Sequence, residues 1–233
     1  MKILKFIIIS ILFLTSINSY SQGWKWVKNI GTDTVNTFNR NGNFKKVKPI
    51  VFGDTLVYVR ALSLFDKNEL VWLDANTGNE IKSKPIASLK SLSISRMDFN
   101  RGMYLTDFKR DSEGSFYFCY NYVRNSFADT IVFGTNTQYA TKINPIDLRF
   151  LVKFNKSGDF IYYRSITTMS PNRLGLLIGS NNDVFLFGAS TNAYEKYNSY
   201  GIKYNIPRLS LASFITNVTD LILYKGFIYA TIA

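Results

Sequence analysis

Short runs of strand-forming residues alternate with polar turns along most of this chain. The runs are rich in Val, Ile, Phe, Tyr and Leu, and Gly, Asn, Asp, Ser and Lys separate them; this is the pattern of short β-strands. Beyond residue 22 no long segment has the apolar spacing of an amphipathic helix, and a parallel sheet would need crossover segments of about a dozen residues. The pattern therefore predicts an all-β fold of short antiparallel strands. The clearest runs are residues 24–27, 55–62, 70–73, 115–122, 130–133, 149–154, 160–166, 175–178, 184–187, 220–224 and 227–232, and residues 89–94 suit either a strand or a short helix.

Tight turns between these runs form a weak internal repeat. Gly and Asn tolerate the positive φ that hairpin turns require, and they occur in the predicted turns. A polar turn followed by an aromatic strand occurs at residues 111–118 and again at 180–188, and a strand that enters an Asx-Gly turn occurs at 70–81 and 150–161. Repeats of a few short strands favour a radial or stacked β architecture. A β-sandwich with similar hairpins is the alternative. The predicted turns are residues 74–79, 155–159, 180–183 and 224–226.

Residues 22–233 resemble the bladed β-propeller repeat proteins that Gram-negative bacteria with type IX secretion export. The residues that carry the resemblance are 23–31, 129–134 and 147–161, and the best match spans 111–188. The resemblance implies β-propeller-like repeats in a single domain, residues 22–233. Members of this group usually carry a C-terminal sorting module, which is not visible here, and about sixteen strands make only about four blades. We therefore expect the domain to be a fragment of a larger propeller. A small complete β fold that ends on an edge or ring-closing strand is the alternative.

The N-terminus predicts export. Lys2 and Lys5 precede a short apolar run at residues 6–14, and small residues follow at Ser19 and Ser21. This order is typical of a secretory signal peptide, and the run is about half the length that a membrane-spanning helix needs. We expect residues 1–21 to be removed near Ser21, without a stable transmembrane anchor, and the protein to be secreted or held at the outer cell surface.

The composition excludes several kinds of chemistry. The chain has no histidine and one cysteine, Cys119, which removes Ser-His-Asp and Cys-His catalytic sets, His-ligated metal sites and intrachain disulfides. Cys119 lies in an apolar strand, which favours a buried small side chain over a reactive thiol. We expect no cofactor and no metal site.

The net charge of +12 points to surface properties. Its tight clusters are residues 45–48 and 82–84, and no nucleic-acid-binding motif accompanies them. Solvated strand faces, with Lys keeping strand edges from pairing, account for most of the charge. An anionic glycan or lipopolysaccharide surface is the alternative, and we expect no nucleic-acid partner.

The sixteen carboxylates are scattered along the chain, mostly in predicted turns, where Asp usually bonds to the backbone. A glycosidase would need two of them to converge. Tyr194, Tyr197, Tyr200 and Tyr204 differ from the other aromatics because they lie in a Gly-, Asn- and Ser-rich segment that shows no strand periodicity. Loop aromatics on a β scaffold are candidate ligand-binding residues, and a local cluster that pins the loop is the alternative.

Together these features favour a secreted or cell-surface, non-catalytic β-propeller-type protein that serves as a binding scaffold for an unidentified protein or glycan. An exported carboxylate-dependent hydrolase acting on carbohydrate is the second hypothesis. A purely structural adhesion segment is the third.

Overall fold

The computed structural model describes residues 36–38, 44–46, 48–63, 67–90, 102–123, 130–134, 136–139, 148–166, 174–188, 194–205, 218–224 and 227–232. These residues form seventeen β-strands and no helix, so the all-β prediction is confirmed. The expected signal segment, the expected strand at residues 24–27 and the turn at 225–226 lie outside the described residues. The strands are β1 (Asn36–Phe38), β2 (Phe44–Lys46), β3 (Ile50–Phe52), β4 (Thr55–Ser63), β5 (Lys67–Asp74), β6 (Glu80–Lys90), β7 (Gly102–Arg110), β8 (Phe116–Val123), β9 (Thr130–Phe133), β10 (Asn136–Tyr139), β11 (Leu148–Phe154), β12 (Phe160–Ile166), β13 (Leu174–Ile178), β14 (Val184–Gly188), β15 (Tyr194–Tyr197), β16 (Val218–Tyr224) and β17 (Phe227–Ile232).

The strands form three antiparallel sheets and two separate hairpins. Sheet 1 has the order β10-β9-β6-β5-β4-β3, sheet 2 the order β12-β11-β8-β7, and sheet 3 the order β13-β14-β15. The hairpins are β1–β2 and β16–β17. One hairpin, β9–β10, departs from a simple meander: it follows β8 of sheet 2 but pairs with β6 of sheet 1. A bond of 3.1 Å from the Gly134 N–H to the Ile86 carbonyl adds to this link, so the inserted hairpin ties two neighbouring sheets together.

Sheet 2 lies between the other two sheets. Successive side chains of a strand point to opposite faces, and in β8 Phe116 and Phe118 pack against sheet 1, whereas Tyr117 and Cys119 pack against sheet 3. All four side chains are fully buried. A two-sheet sandwich would leave the outer face of each sheet open to water. Burial of both faces of β8 instead indicates sheets that follow one another like blades.

The first strands of sheet 2, sheet 3 and the last hairpin lie side by side. Strand β7 contacts β13, and β13 contacts β16, the first strand of the last hairpin. Radially arranged blades place their first strands next to one another around a centre. The repeated architecture that the sequence indicates is therefore present in the described part of the chain.

Aromatic rings fill the space between sheets 1 and 2. The rings of Phe108 and Phe118 stack with centroids 5.1 Å apart, and Phe118 meets Phe154 edge to face at 5.4 Å. Trp72 of sheet 1 meets Phe116 edge to face at 5.9 Å. Such pairs contribute about 0.5–1.5 kcal/mol each beyond the burial of their area. Burial, not cross-linking, stabilises this layer of rings, and Cys119 is buried without a disulfide, as expected.

Four hairpin turns share one geometry. In each, the first residue's N–H bonds to the carbonyl four residues later, and the fourth residue's N–H bonds back to the first residue's carbonyl. The fourth residues have positive φ of 91° at Gly114, 86° at Gly158, 59° at Asn182 and 76° at Gly201. Glycine and asparagine adopt this conformation with the least strain. The predicted turns at 155–159 and 180–183 are confirmed, and the turn at 198–202 is an additional copy.

Strand β7 was not expected from the sequence. A register shift between Leu105 and Asp107 interrupts its pairing with β8, so apolar residues do not alternate regularly along it. Its buried positions are Leu105 and Phe108, three residues apart. A strand with such a bulge shows neither a clean period of two nor an apolar run.

Candidate functional site

The four candidate tyrosines lie on one hairpin. Tyr194 and Tyr197 are the end residues of β15, so the loop expected for them is wrong. Tyr200 lies in the turn that follows, and Tyr204 lies on the returning segment, where its N–H bonds to the Lys196 carbonyl at 2.8 Å. The tyrosine hairpin, as we name residues 194–205, therefore brings all four into one element. Their role as ligand-binding residues stays a prediction.

Asparagine and glycine shape the turn of this hairpin. The Asn198 side chain accepts hydrogen bonds from the N–H groups of Tyr200 at 3.0 Å and Ile202 at 2.9 Å. Gly201 supplies the positive φ. Asn155 and Gly158 are the same residues at the same spacing in the β11–β12 turn. That shared spacing is the signal by which the sequence could have revealed the hairpin.

Two cations of sheet 2 hold the tip of the tyrosine hairpin. Lys153 Nζ donates to the Ser199 carbonyl at 3.0 Å. Arg164 Nε donates to the Gly201 carbonyl at 2.7 Å, and its Nη2 donates to the Tyr200 carbonyl at 3.3 Å. Three consecutive carbonyls are thus occupied by charged donors, whose hydrogen bonds are stronger than neutral ones. The tip has a fixed position against sheet 2.

Gly201 also permits close packing of the tip. A Cβ at this position would lie 2.6 Å from Cε2 of Tyr162 and 2.7 Å from its Cζ. Burial raises the pKa of the Tyr162 hydroxyl above its ordinary range. The turn therefore lies directly on a buried ring of β12.

Tyr197 supports the hairpin from inside. Its ring is buried, and its hydroxyl donates to Glu195 Oε2 at 2.5 Å. Lys203 Nζ, on the returning segment, donates to Glu195 Oε1 at 2.5 Å. Burial, followed by the bond to Glu195, raises the pKa of the Tyr197 hydroxyl above its ordinary range. Tyr197 therefore acts in packing the hairpin, and its ring does not reach the surface.

The outer side of the hairpin presents apolar surface. Tyr200 is 76% exposed, Ile202 63% and Tyr204 40%. The Tyr204 hydroxyl donates to Asp183 Oδ1 at 3.1 Å, and Lys196 Nζ lies 4.5 Å from the centroid of its ring. Three large side chains are thus displayed within five residues of one another on an anchored turn, and one of them is oriented by its hydroxyl.

Most carboxylates of the described residues accept hydrogen bonds from amides or pair with cations. Asp74 accepts bonds from the amides two and three residues later, and these lower its pKa. Asp111 accepts a bond from the amide four residues later at 2.7 Å, and Glu69 and Glu80 both pair with Arg60, at 2.8 and 2.9 Å. Other carboxylates with bonds to protein groups are Asp54, Asp107, Asp159, Asp183 and Glu195.

In this part of the chain, His, Cys, Asp and Glu form no group of three that could hold a metal ion. No helix in the described ranges has both the length and the apolar character that a bilayer crossing requires.

Comparison with solved structures bears on the fold. The chain is similar to the GH43 BlXynB protein from Bacillus licheniformis, a β-propeller, with a TM-score of 0.51 and 13% identity over 85% of this chain and 37% of that one. The fold is β-propeller-like. At this identity the likeness shows the fold alone, and this chain spans about 37% of the length of that protein.

A luciferin-regenerating enzyme is similar at 10% identity, covering 80% of this chain and 69% of that one, with a TM-score of 0.31, too low to inform the fold. No family model and no curated protein matches the sequence.

Proposed function

We propose that this protein is an exported, non-catalytic β-propeller-type scaffold that binds a protein or glycan at the cell surface through the tyrosine hairpin. The observation that carries the proposal is the display of Tyr200, Ile202 and Tyr204 on a turn whose carbonyls are held by Lys153 and Arg164. Tyrosine is enriched among residues that dominate binding energy. A turn that is already ordered loses little conformational entropy when a partner binds.

The arrangement of carboxylates supports a scaffold over the hydrolase alternative. A glycosidase needs one carboxyl group to donate a proton and a second to attack or to activate water. Among the described residues, Glu69 and Glu80 are two carboxylates that share one partner, since Arg60 bonds to both. The guanidinium thus occupies an oxygen of each carboxylate, so neither is positioned as an unhindered nucleophile or base. The likeness to a GH43 protein adds no weight to hydrolysis because it concerns the fold.

Export is the second part of the proposal. It rests on the signal-peptide pattern of residues 1–21 and on the resemblance to propeller proteins of bacteria with type IX secretion. N-terminal sequencing of the protein recovered from a Gram-negative host tests it. A mature chain that starts at or near Gln22, outside the cytoplasm, is expected. A chain that keeps Met1 and stays in the cytoplasm would refute export.

Binding is tested by sedimentation with cell envelopes of the producing bacterium. Tyr200→Ala combined with Ile202→Ala should weaken binding at least about tenfold, since central aromatic contacts contribute about 2 kcal/mol or more. The matched control replaces Val51 and Ile161, which are 63% and 47% exposed on other strands, with Ala. Surface changes of this kind alter folding stability by only about 0.5 kcal/mol, and a thermal melt verifies that both variants are folded.

Two treatments of the envelopes identify the partner. Periodate oxidation destroys glycans, and protease treatment destroys proteins. The treatment that abolishes binding therefore shows whether the partner is a glycan or a protein. Equal binding by the hairpin variant and the control would overturn the role of the hairpin. Release of reducing sugar from the envelopes by purified protein would overturn the proposal that the protein is non-catalytic.

A further inference from the structure

A cleft lies between sheets 1 and 2, and no residue of the tyrosine hairpin lines it. The cleft, of about 310 Å³, opens where the turns of sheet 2 meet the strands of sheet 1. This volume lies at the lower end of the range of small-molecule sites, about 300–1,000 Å³, and suits a ligand the size of one sugar ring. The cleft is lined by Phe52, Thr55, Trp72, Ile81, Lys82, Arg110, Gly114 and Lys156.

Aromatic rings orient two of the cations in this cleft. Lys82 Nζ lies 4.3 Å from the centroid of the Trp72 ring, and Arg110 Cζ lies 3.9 Å from that of the Phe52 ring. A ring face attracts a cation and limits its motion. Each charged group therefore has a defined place before any ligand arrives.

The third cation of the cleft is Lys156, which packs against Gly114 as Arg110 does. A Cβ on Gly114 would lie 3.0 Å from Arg110 Nη2 and 3.2 Å from Lys156 Cβ. The absence of a side chain at this turn thus allows both residues to pack against Gly114. Arg110 and Lys156 form one wall with Gly114, and Lys82 extends from the facing sheet.

The charge of the cleft is not neutralised by its own lining. Its described lining residues include three cations and no carboxylate. Three carboxylates next to lining residues in the sequence do not themselves line the cleft: Asp54, which accepts a bond from Asn76, Glu80, which pairs with Arg60, and Glu113. Asp159 pairs with Lys84, and the charge of Lys82 also acts on it. Arg110 Nε is buried and has no hydrogen-bond partner among the described residues. An anionic ligand would compensate this positive charge.

We propose that this cleft binds an acidic sugar, a ring that carries a carboxylate. The planar guanidinium of Arg110 and the ammonium groups of Lys82 and Lys156 would hold the carboxylate by charge-assisted hydrogen bonds. Ile81, which is exposed, and Trp72 line the cleft and offer apolar surface to the carbon-bound hydrogens of the ring. Cations together with an apolar wall favour a charged ring over a bare inorganic anion.

Calorimetry with D-glucuronate tests the proposal on the full chain. Arg110→Gln and Lys156→Gln should each weaken binding at least about tenfold, because each removes a charge-assisted bond. Lys67→Gln is the matched control: it removes the same charge from an exposed position on β5 that does not line the cleft. It should leave affinity within about twofold.

Neutral glucose and inorganic phosphate serve as comparison ligands in the same calorimetry experiment. Both should bind at least about tenfold more weakly than glucuronate, since one lacks the charge and the other lacks the ring. Phosphate binding as tight as glucuronate would overturn the sugar assignment, and no measurable glucuronate binding would overturn the site. Tyr200→Ala should leave glucuronate binding unchanged, which separates this proposal from the role of the tyrosine hairpin.

Discussion

Gly158→Ala should loosen the packing between sheets 1 and 2. The turn at residues 155–159 lies against sheet 1, and a Cβ on Gly158 would come within 2.5 Å of Cη2 of Trp72. The indole is rigid and buried, so it cannot turn away without disturbing the core. Gly158 also has a positive φ of 86°, which adds backbone strain to the steric conflict.

The magnitude follows from two separate contributions. Alanine in the left-handed region costs about 1–2 kcal/mol, and forcing extra volume into a packed core costs about 1–3 kcal/mol. Gly53→Ala is the matched control, because Gly53 has φ of +54° and no atom within 4 Å of its would-be Cβ. Alanine at position 53 therefore adds backbone strain but no steric conflict. Gly158→Ala should therefore lose about 1–3 kcal/mol more in free energy of unfolding than Gly53→Ala.

Urea denaturation followed by far-ultraviolet circular dichroism measures all of these variants. Trp72→Phe removes the ring atoms that the new Cβ would meet, so combining it with Gly158→Ala should lose less than the sum of the single changes, by about 1 kcal/mol. Additive losses in the double variant would refute this contact between the sheets. Equal losses in Gly158→Ala and Gly53→Ala would do the same.

Further predictions concern single side chains. Tyr197→Phe removes a buried donor to Glu195 and should lower the free energy of unfolding by about 1–3 kcal/mol in urea titration; an unchanged midpoint would contradict that bond. The pKa of Asp74 is lowered in the folded state, chiefly by the Thr77 amide. Its contribution to stability is therefore present above the unfolded pKa, near 4, and is lost as pH falls through the folded value. The stability difference between the native chain and Asp74→Asn should thus shrink on acidification from pH 6 to pH 2; a constant difference would exclude this contribution. Cys119 is fully buried and should react with a thiol reagent only at the rate of unfolding, as timed by absorbance; rapid labelling of the native protein would contradict its burial.

The sequence predicts those parts of the fold that depend on neighbouring residues. Asn155 and Gly158 define a turn by their spacing alone, because the side chain bonds to the following amides and glycine supplies the positive φ. The aromatic run of β8 predicts a buried strand, and its two buried faces follow from the period of two. Local chemistry is sufficient for such elements.

Features that depend on distant residues were not predictable in this way. The pairing of β9 with β6 joins residues about forty positions apart, and nothing near Ile131 indicates a partner in the preceding sheet. The tyrosine hairpin depends on Arg164 and Lys153, which lie 36 to 46 residues from the carbonyls that they hold. The cleft likewise joins Arg110 to Phe52 across two sheets. Sequence alone locates the tyrosines, but only three-dimensional packing shows which of them are exposed.

Amide hydrogen exchange with and without cell envelopes tests the central claim most directly. If the protein binds through the tyrosine hairpin, exchange at Tyr200, Ile202 and Tyr204 should slow when envelopes are present, while exchange at the exposed Val51 and Ile161 on other strands stays the same. Binding that protects other segments and leaves residues 198–205 unchanged would contradict the account.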